Sequence, residues 1–312
     1  HMIPAVIESS DNLIDLRNEL IPAKDIYGKL PIYYAVKNNN IFLTEYALKI
    51  YLNMSPELLY SHDYEGNNFL HYAVKSNQLS IVQYLVDLSN AANSSINLSD
   101  LLHSFNRDGY NILHLACLNG HSDLIDYLLA KLPSLNVANQ KQESPLHLAC
   151  YSKNINLVKK LLKDNSEYLY SKDWQNSSTL HHACFAQDDA IIELLLNTDI
   201  RLIQTSNNFG DTPFHILCRD VNLKCIKMIL KDPAYRSMIN KRNNTNQTPL
   251  DLLFLCIINY LNQRLLNTGN YVQAYTDTLV ETLNYFLSDY HDKVSENQYN
   301  EKLFHLACQD GQ

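Results

Sequence analysis

A motif with a period near 33 residues recurs along the chain, and it limits the fold more than any other feature. Aligned on the fourth residue of Ser144-Pro145-Leu146-His147-Leu148-Ala149-Cys150, copies fall at Tyr33, His71, His114, His147, His181, His215, Asp251 and His305. The steps from His114 to His215 are 33, 34 and 34 residues. Three residues before the anchor stand Asn68, Asn111, Ser144, Ser178, Thr212 and Thr248, side chains suited to capping a helix start. Pro31, Pro145, Pro213 and Pro249 follow, where a first helical residue has no N–H partner to lose. Gly28, Gly66, Gly109, Asn176, Gly210, Asn246 and Asn300 occupy a turn position and tolerate positive φ. Apolar pairs such as Leu128-Leu129, Leu161-Leu162 and Leu195-Leu196 then mark a second amphipathic helix. Two helices this short cannot bury their apolar sides alone. Each copy needs its neighbours.

A period near 33 with a T-P-L-H-x-A core resembles the ankyrin-repeat family. Thr212-Pro213-Phe214-His215 and Ser144 to Ala149 carry the likeness most closely, and it extends from Asp25 to the end of the chain. The resemblance implies an all-α solenoid of helix-turn-helix repeats with β-hairpin-like fingers: about seven repeats plus a truncated eighth.

The expected organisation is a capping segment over residues 1–24, repeats one to seven over 25–266, a helical insertion over 267–296, and a half repeat over 297–312. His1-Met2 reads as a cloning remnant. Leu13, Ile14, Leu16, Leu20 and Ile21, ended by Pro22, form the stripe of a short helix that would cover the open end of the stack. The step from His71 to His114 is 43, so residues 90–102 hold an extra polar loop, with one helical turn at Leu98, Leu101 and Leu102. Leu252 to Leu266 lacks a turn signal and predicts one long helix or two poorly separated ones. Leu279, Val280, Leu283, Phe286 and Leu287 mark another helix. The stop at Gln312, halfway through a repeat, implies that the natural chain continues.

Composition excludes several roles. The net charge of −8 and pI near 5.8 argue against a nucleic-acid footprint or an anionic membrane surface. The longest apolar run, Leu250 to Ile258, is too short to span a bilayer. Cys117, Cys150, Cys184, Cys218 and Cys308 share one repeat position, which marks core thiols in a reducing compartment, and no secretory leader is read.

The His-x-x-Cys ladder could in principle hold a metal or a Cys–His nucleophile. Helices packed about 8–10 Å apart cannot easily pool such pairs in one tetrahedral site. The resemblance assigns these histidines to bracing the turn by hydrogen bonding. His121 and His182 fall outside the period and are given surface roles. No Gly-rich phosphate loop, nucleophile elbow or H-E-x-x-H is present, so no catalytic constellation, metal or cofactor is expected.

The family binds partners through hairpin tips and the outer residues that end each first helix. Here the tips read Tyr64, Tyr110, Trp174 and Phe209, and the helix ends Leu118, Tyr151, Phe185 and Arg219. Trp174, Phe185, Tyr151 and Tyr110 are the expected anchors, with Arg219 as a polar contact, on a groove from repeats three to six. The competing reading packs Trp174 and Phe209 sideways on neighbouring hairpins and sinks Tyr151 and Phe185 between first helices. The expected activity is non-catalytic binding of a protein by a monomer in the cytoplasm. Heavy use of Asn, Lys, Ile and Tyr with sparse Gly and Pro suggests an AT-rich genome. Ankyrin proteins coded that way resemble effectors that intracellular bacteria secrete into host cytosol, so a host protein is the expected partner. The rival reading is the targeting region of a larger effector enzyme whose catalytic domain lies beyond residue 312.

Overall fold

First helices start where the capping signals stand, because side chain and backbone satisfy each other there. The computed structural model describes residues 23–54, 56–90, 98–133, 136–265 and 273–290. In each complete cap the N-cap oxygen accepts the anchor's backbone N–H, and the anchor's Nδ1 accepts the N-cap N–H. This holds for Asn68/His71, Asn111/His114, Ser144/His147, Ser178/His181 and Thr212/His215. Such a cap contributes about 1 kcal/mol. The two atypical anchors find substitutes. Tyr33 sends its hydroxyl 2.6 Å to the Ser61 carbonyl. Asp251 accepts the Thr248 N–H at 2.7 Å and donates its own N–H to the Thr248 hydroxyl at 3.1 Å.

The chain divides into two compact units, residues 1–152 and 153–312. In the first, α1 (Pro31–Lys37) pairs with α2 (Ile41–Met54), α3 (Phe69–Lys75) with α4 (Leu79–Asn90), and α6 (Ile112–Asn119) with α7 (Ser122–Lys131). The short α5 (Leu98–Leu102) fills the long step with buried Leu101 and Leu102, as its apolar turn predicts. Helices α1, α3, α6 and α8 (Pro145–Tyr151) pack in sequence, first helix on first helix, while α2 packs on α4. Their inner faces, for example Leu113, Ala116 and Cys117 against Leu146, Ala149 and Cys150, are wholly buried. Each such large side chain contributes about 1.5–3 kcal/mol.

In the second unit α9 (Ile155–Asp164) precedes α10 (Thr179–Ala186) and α11 (Asp189–Thr198). Next come α12 (Pro213–Arg219) and α13 (Leu223–Leu230), then α14 (Pro249–Leu265) and α15 (Gln273–Asp289). Helix α10 packs on α12 and α12 on α14; α9, α11 and α13 neighbour one another on the other layer. The turnless stretch after Asp251 forms one helix of 17 residues, α14, the first of the two expected readings. Helix α15 lies within the 267–296 segment and meets α13: Lys227 Nζ is 2.9 Å from Glu281, and the Tyr290 hydroxyl is 3.4 Å from the Leu230 carbonyl. Leu279 and Phe286 are buried, whereas Val280 is exposed. Among the described residues there is no β-strand, only an isolated antiparallel bridge between Lys172 and Ser178. The stripe at residues 13–21 and the half repeat with Asn300, His305 and Cys308 lie outside the described residues.

Candidate partner-binding surface

Each finger is held by an Asp or Asn three residues before the turn position. Asp63 accepts the N–H groups of Glu65 and Asn67; Asn139 accepts those of Lys141 and Glu143. Asp173 does the same for Gln175 and Ser177, and Asn207 for Phe209 and Asp211. The reading of turn positions missed this acceptor, although Asp25, Asp63, Asn106, Asn139, Asp173, Asn207 and Asn243 keep a constant offset from the turn residue. In the fourth finger the positive-φ position is filled by Gln142, at φ 58°. Glycine is needed where fingers touch. A Cβ on Gly210, at φ 76°, would stand 2.6 Å from the Asn244 backbone nitrogen.

The anchor histidines link one finger to the next. Nε2 of His71 lies 3.2 Å from the Tyr110 carbonyl, and that of His114 is 2.9 Å from Val137. In the second unit His181 reaches the Asp211 carbonyl at 3.0 Å and His215 reaches Gln247 at 3.3 Å. Nδ1 accepts and Nε2 donates, an arrangement only the neutral ring can make. Burial accordingly pushes His71, His114 and His181 down to about 4, and lowers His215 as well. The ladder cysteines Cys117, Cys150, Cys184 and Cys218 are buried. Burial raises the Cys117 and Cys218 thiols far above their ordinary range, the opposite of an activated nucleophile.

The surface role read for His182 is corrected. Its side chain is 3% exposed and its Nε2 sits 3.0 Å from Oδ2 of Asp173. In three repeats the residue after the anchor bonds to the acid of its own finger. Tyr72 donates to Asp63 at 2.7 Å from that position, and Tyr34 donates to Asp25 likewise. A hydrogen-bonding ring after the anchor, paired with an acid nine residues earlier, is the signal that could have found it. His121 is half-buried at the start of α7, with Nε2 3.4 Å from the Lys75 carbonyl.

Of the expected binding residues in the first unit, Tyr64 projects from its finger at 63% exposure and Tyr151 ends α8 at 37%. Leu118 is half-buried at the end of α6. Tyr110 stands at the base of its finger rather than the tip: its N–H bonds Asn106 and its ring, half-buried, lies 6.4 Å from His114 and 5.6 Å from Lys141 Nζ. In the second unit Trp174 and Phe209 project at 58% and 56% exposure, so neither packs sideways out of solvent. Phe185 ends α10 at 39% exposure, and the Arg219 guanidinium of α12 lies over its ring at 5.8 Å. That contact joins adjacent repeats at their helix ends. Arg219 also pairs with Asp220 at 3.1 Å.

Among the described residues no group of three or more His, Cys, Asp or Glu could hold a metal, and no helix is long and apolar enough to cross a membrane.

Residues 5–100 and 88–173 match the family model described as ankyrin repeats (3 copies), together more than half of the 312 residues. Comparison with curated proteins gives no match. Among solved structures the chain is similar to the crystal structure of the human ASB11 ankyrin repeat domain. The TM-score is 0.56 at 18% identity, over 78% of this chain and 100% of that one. At that identity the likeness carries the fold alone.

Proposed function

Because the chain belongs to the ankyrin-repeat family, a family of protein-interaction modules, we propose that it is a non-catalytic scaffold that binds a partner protein. The second unit supplies the anchors Trp174, Phe185 and Phe209 with Arg219 as the polar contact. The first unit presents Tyr64, Tyr110, Leu118 and Tyr151. The observation that carries this reading is the Arg219 guanidinium over the exposed Phe185 ring, in repeats whose fingers expose Trp174 and Phe209. These side chains cap no helix and fill no core. Keeping several large rings in water is unfavourable without a partner, and Trp, Tyr and Arg are the residues that dominate binding hot spots. The amino-acid usage noted above supports a host protein as the partner of a secreted bacterial effector.

The test is affinity capture from host-cell lysate with wild-type protein and the Trp174→Ala/Phe185→Ala variant. A protein retained by the first and lost by the second supports the proposal; identical capture by both contradicts it.

A further inference from the structure

The chain carries a net charge of −8, yet the fingers of its second unit and the ends of α10 and α12 expose only cations among the described residues. Segments 172–178, 206–212 and 242–248 form those fingers, and α10 and α12 follow the first two. Their acids are engaged within the fold. Asp173 is buried against His182, half-buried Asp211 accepts from Asn243 Nδ2 at 2.8 Å, and Asp220 pairs with Arg219. Lys172, Arg219 and Arg242 are exposed. The tips between them carry no charge and are tied in a row: Asn208 Nδ2 donates to the Trp174 carbonyl, and Asn244 Nδ2 to the Asn208 carbonyl.

Arg219 is the cation held ready for a ligand. Its Nε donates to Oδ1 of Asp220 at 3.1 Å, and its guanidinium carbon lies 5.8 Å from the centre of the Phe185 ring. Among the described residues its two terminal nitrogens have no partner, and its side chain is 43% exposed. Two contacts fix the guanidinium while its outer edge stays open, so binding there orders little further. A single exposed bond to Asp220, screened by water, does not satisfy the fork.

We propose that this surface takes an acidic peptide segment of the partner. One carboxylate is held end-on by the two terminal nitrogens of Arg219, and apolar side chains beside it rest on Trp174 and Phe209. A carboxylate is the group whose two oxygens match that edge of a guanidinium. Lys172 and Arg242 border the finger row and add attraction of the same sign. A chain that is acidic as a whole needs such a local reversal of sign to draw in an acidic ligand. The inference rests on the partner-binding reading and names the chemistry of its partner.

The test selects short phage-displayed peptides on the full wild-type chain and titrates the enriched ones as synthetic peptides. The expected peptides carry Asp or Glu beside an aliphatic or aromatic residue. Changing that acid to its amide should weaken wild-type binding by about tenfold, and Arg219→Gln should weaken it equally. The two changes together should lose no more than either alone, because both remove one contact. Arg219→Lys keeps the charge without the planar fork and should lose about threefold. Additive losses, or no enrichment, would overturn the proposal, as would tighter binding of an oligothymidylate, which would assign the cations to phosphate. Acid-free peptides that still need Trp174 and Phe185 would overturn it while leaving the partner-binding reading in place. Acidic peptides bound equally by Trp174→Ala/Phe185→Ala would overturn both.

Discussion

His182 Nε2 and Asp173 Oδ2 lie 3.0 Å apart, both side chains buried beneath the finger that carries Trp174. The other carboxylate oxygen of Asp173 holds the N–H groups of Gln175 and Ser177, so one acid shapes the finger and one imidazole holds the acid. The orientation of the exposed indole thus depends on a pair that contacts no partner. Tyr72 and Asp63 repeat the arrangement three repeats earlier, beneath the finger of Tyr64.

Replacing His182 with leucine removes a hydrogen bond to a buried carboxylate. It should cost about 1.5–3 kcal/mol and increase acrylamide quenching of Trp174, the chain's single tryptophan. His182→Tyr, which copies Tyr72, should restore most of both. Equal urea midpoints and equal quenching for wild type and leucine would show that the pair does not hold the finger.

Acid should weaken the fold through the ladder. The folded-state pKa values of His71, His114 and His181 lie near 4 against 6.5 for the ordinary ring, because the buried cation has lost solvent. Above pH 6.5 both folded and unfolded rings are neutral and stability is full. As pH falls toward 4 the unfolded chain takes up protons that the folded chain resists. The loss is about 2 kcal/mol per ring at pH 5. The urea midpoint should therefore fall between pH 7 and pH 5; a flat profile would contradict neutral bracing.

Asp251 should matter as a cap although it replaces the usual ring. Asp251→Ala leaves the Thr248 N–H without its acceptor and should lower stability by about 1–3 kcal/mol. Asp251→Asn, which keeps an acceptor oxygen, should lose less. Equal denaturant midpoints for alanine and wild type would remove the cap from the account.

A thiol probe on the native protein should find the ladder cysteines inert. Cys117, Cys150, Cys184 and Cys218 are buried, and burial with the Asp189 carboxylate nearby pushes Cys225 up to about 12. Among the described cysteines only half-buried Cys256 should react before unfolding. Fast labelling of Cys117 or Cys218 in folded protein would reopen the nucleophile reading.

Much of this was legible because the capping signals act locally. Asn68, Ser144 and Thr212 announce their helices within four residues, and Pro145 and Pro213 mark the same starts. Period alone failed where a side chain's role is set across a finger. His182 sits off the anchor register, yet the helix directs it to an acid nine residues earlier. Tyr110 looks like a tip residue beside Gly109, but the finger's own bonds place it at the base, where its carbonyl receives His71. The contact of Arg219 with Phe185 joins residues 34 apart and carries no local signal, only the recurrence of one helix-end position.

The claim at the centre is that the repeat framework needs none of the exposed rings and that binding does. The direct measurement is a titration of the captured partner against wild type and Trp174→Ala/Phe185→Ala, with urea unfolding of both proteins in parallel. The account predicts affinity lower by at least tenfold with the unfolding midpoint unchanged. Unchanged affinity, or weakened binding that tracks a matching loss of stability, would contradict it.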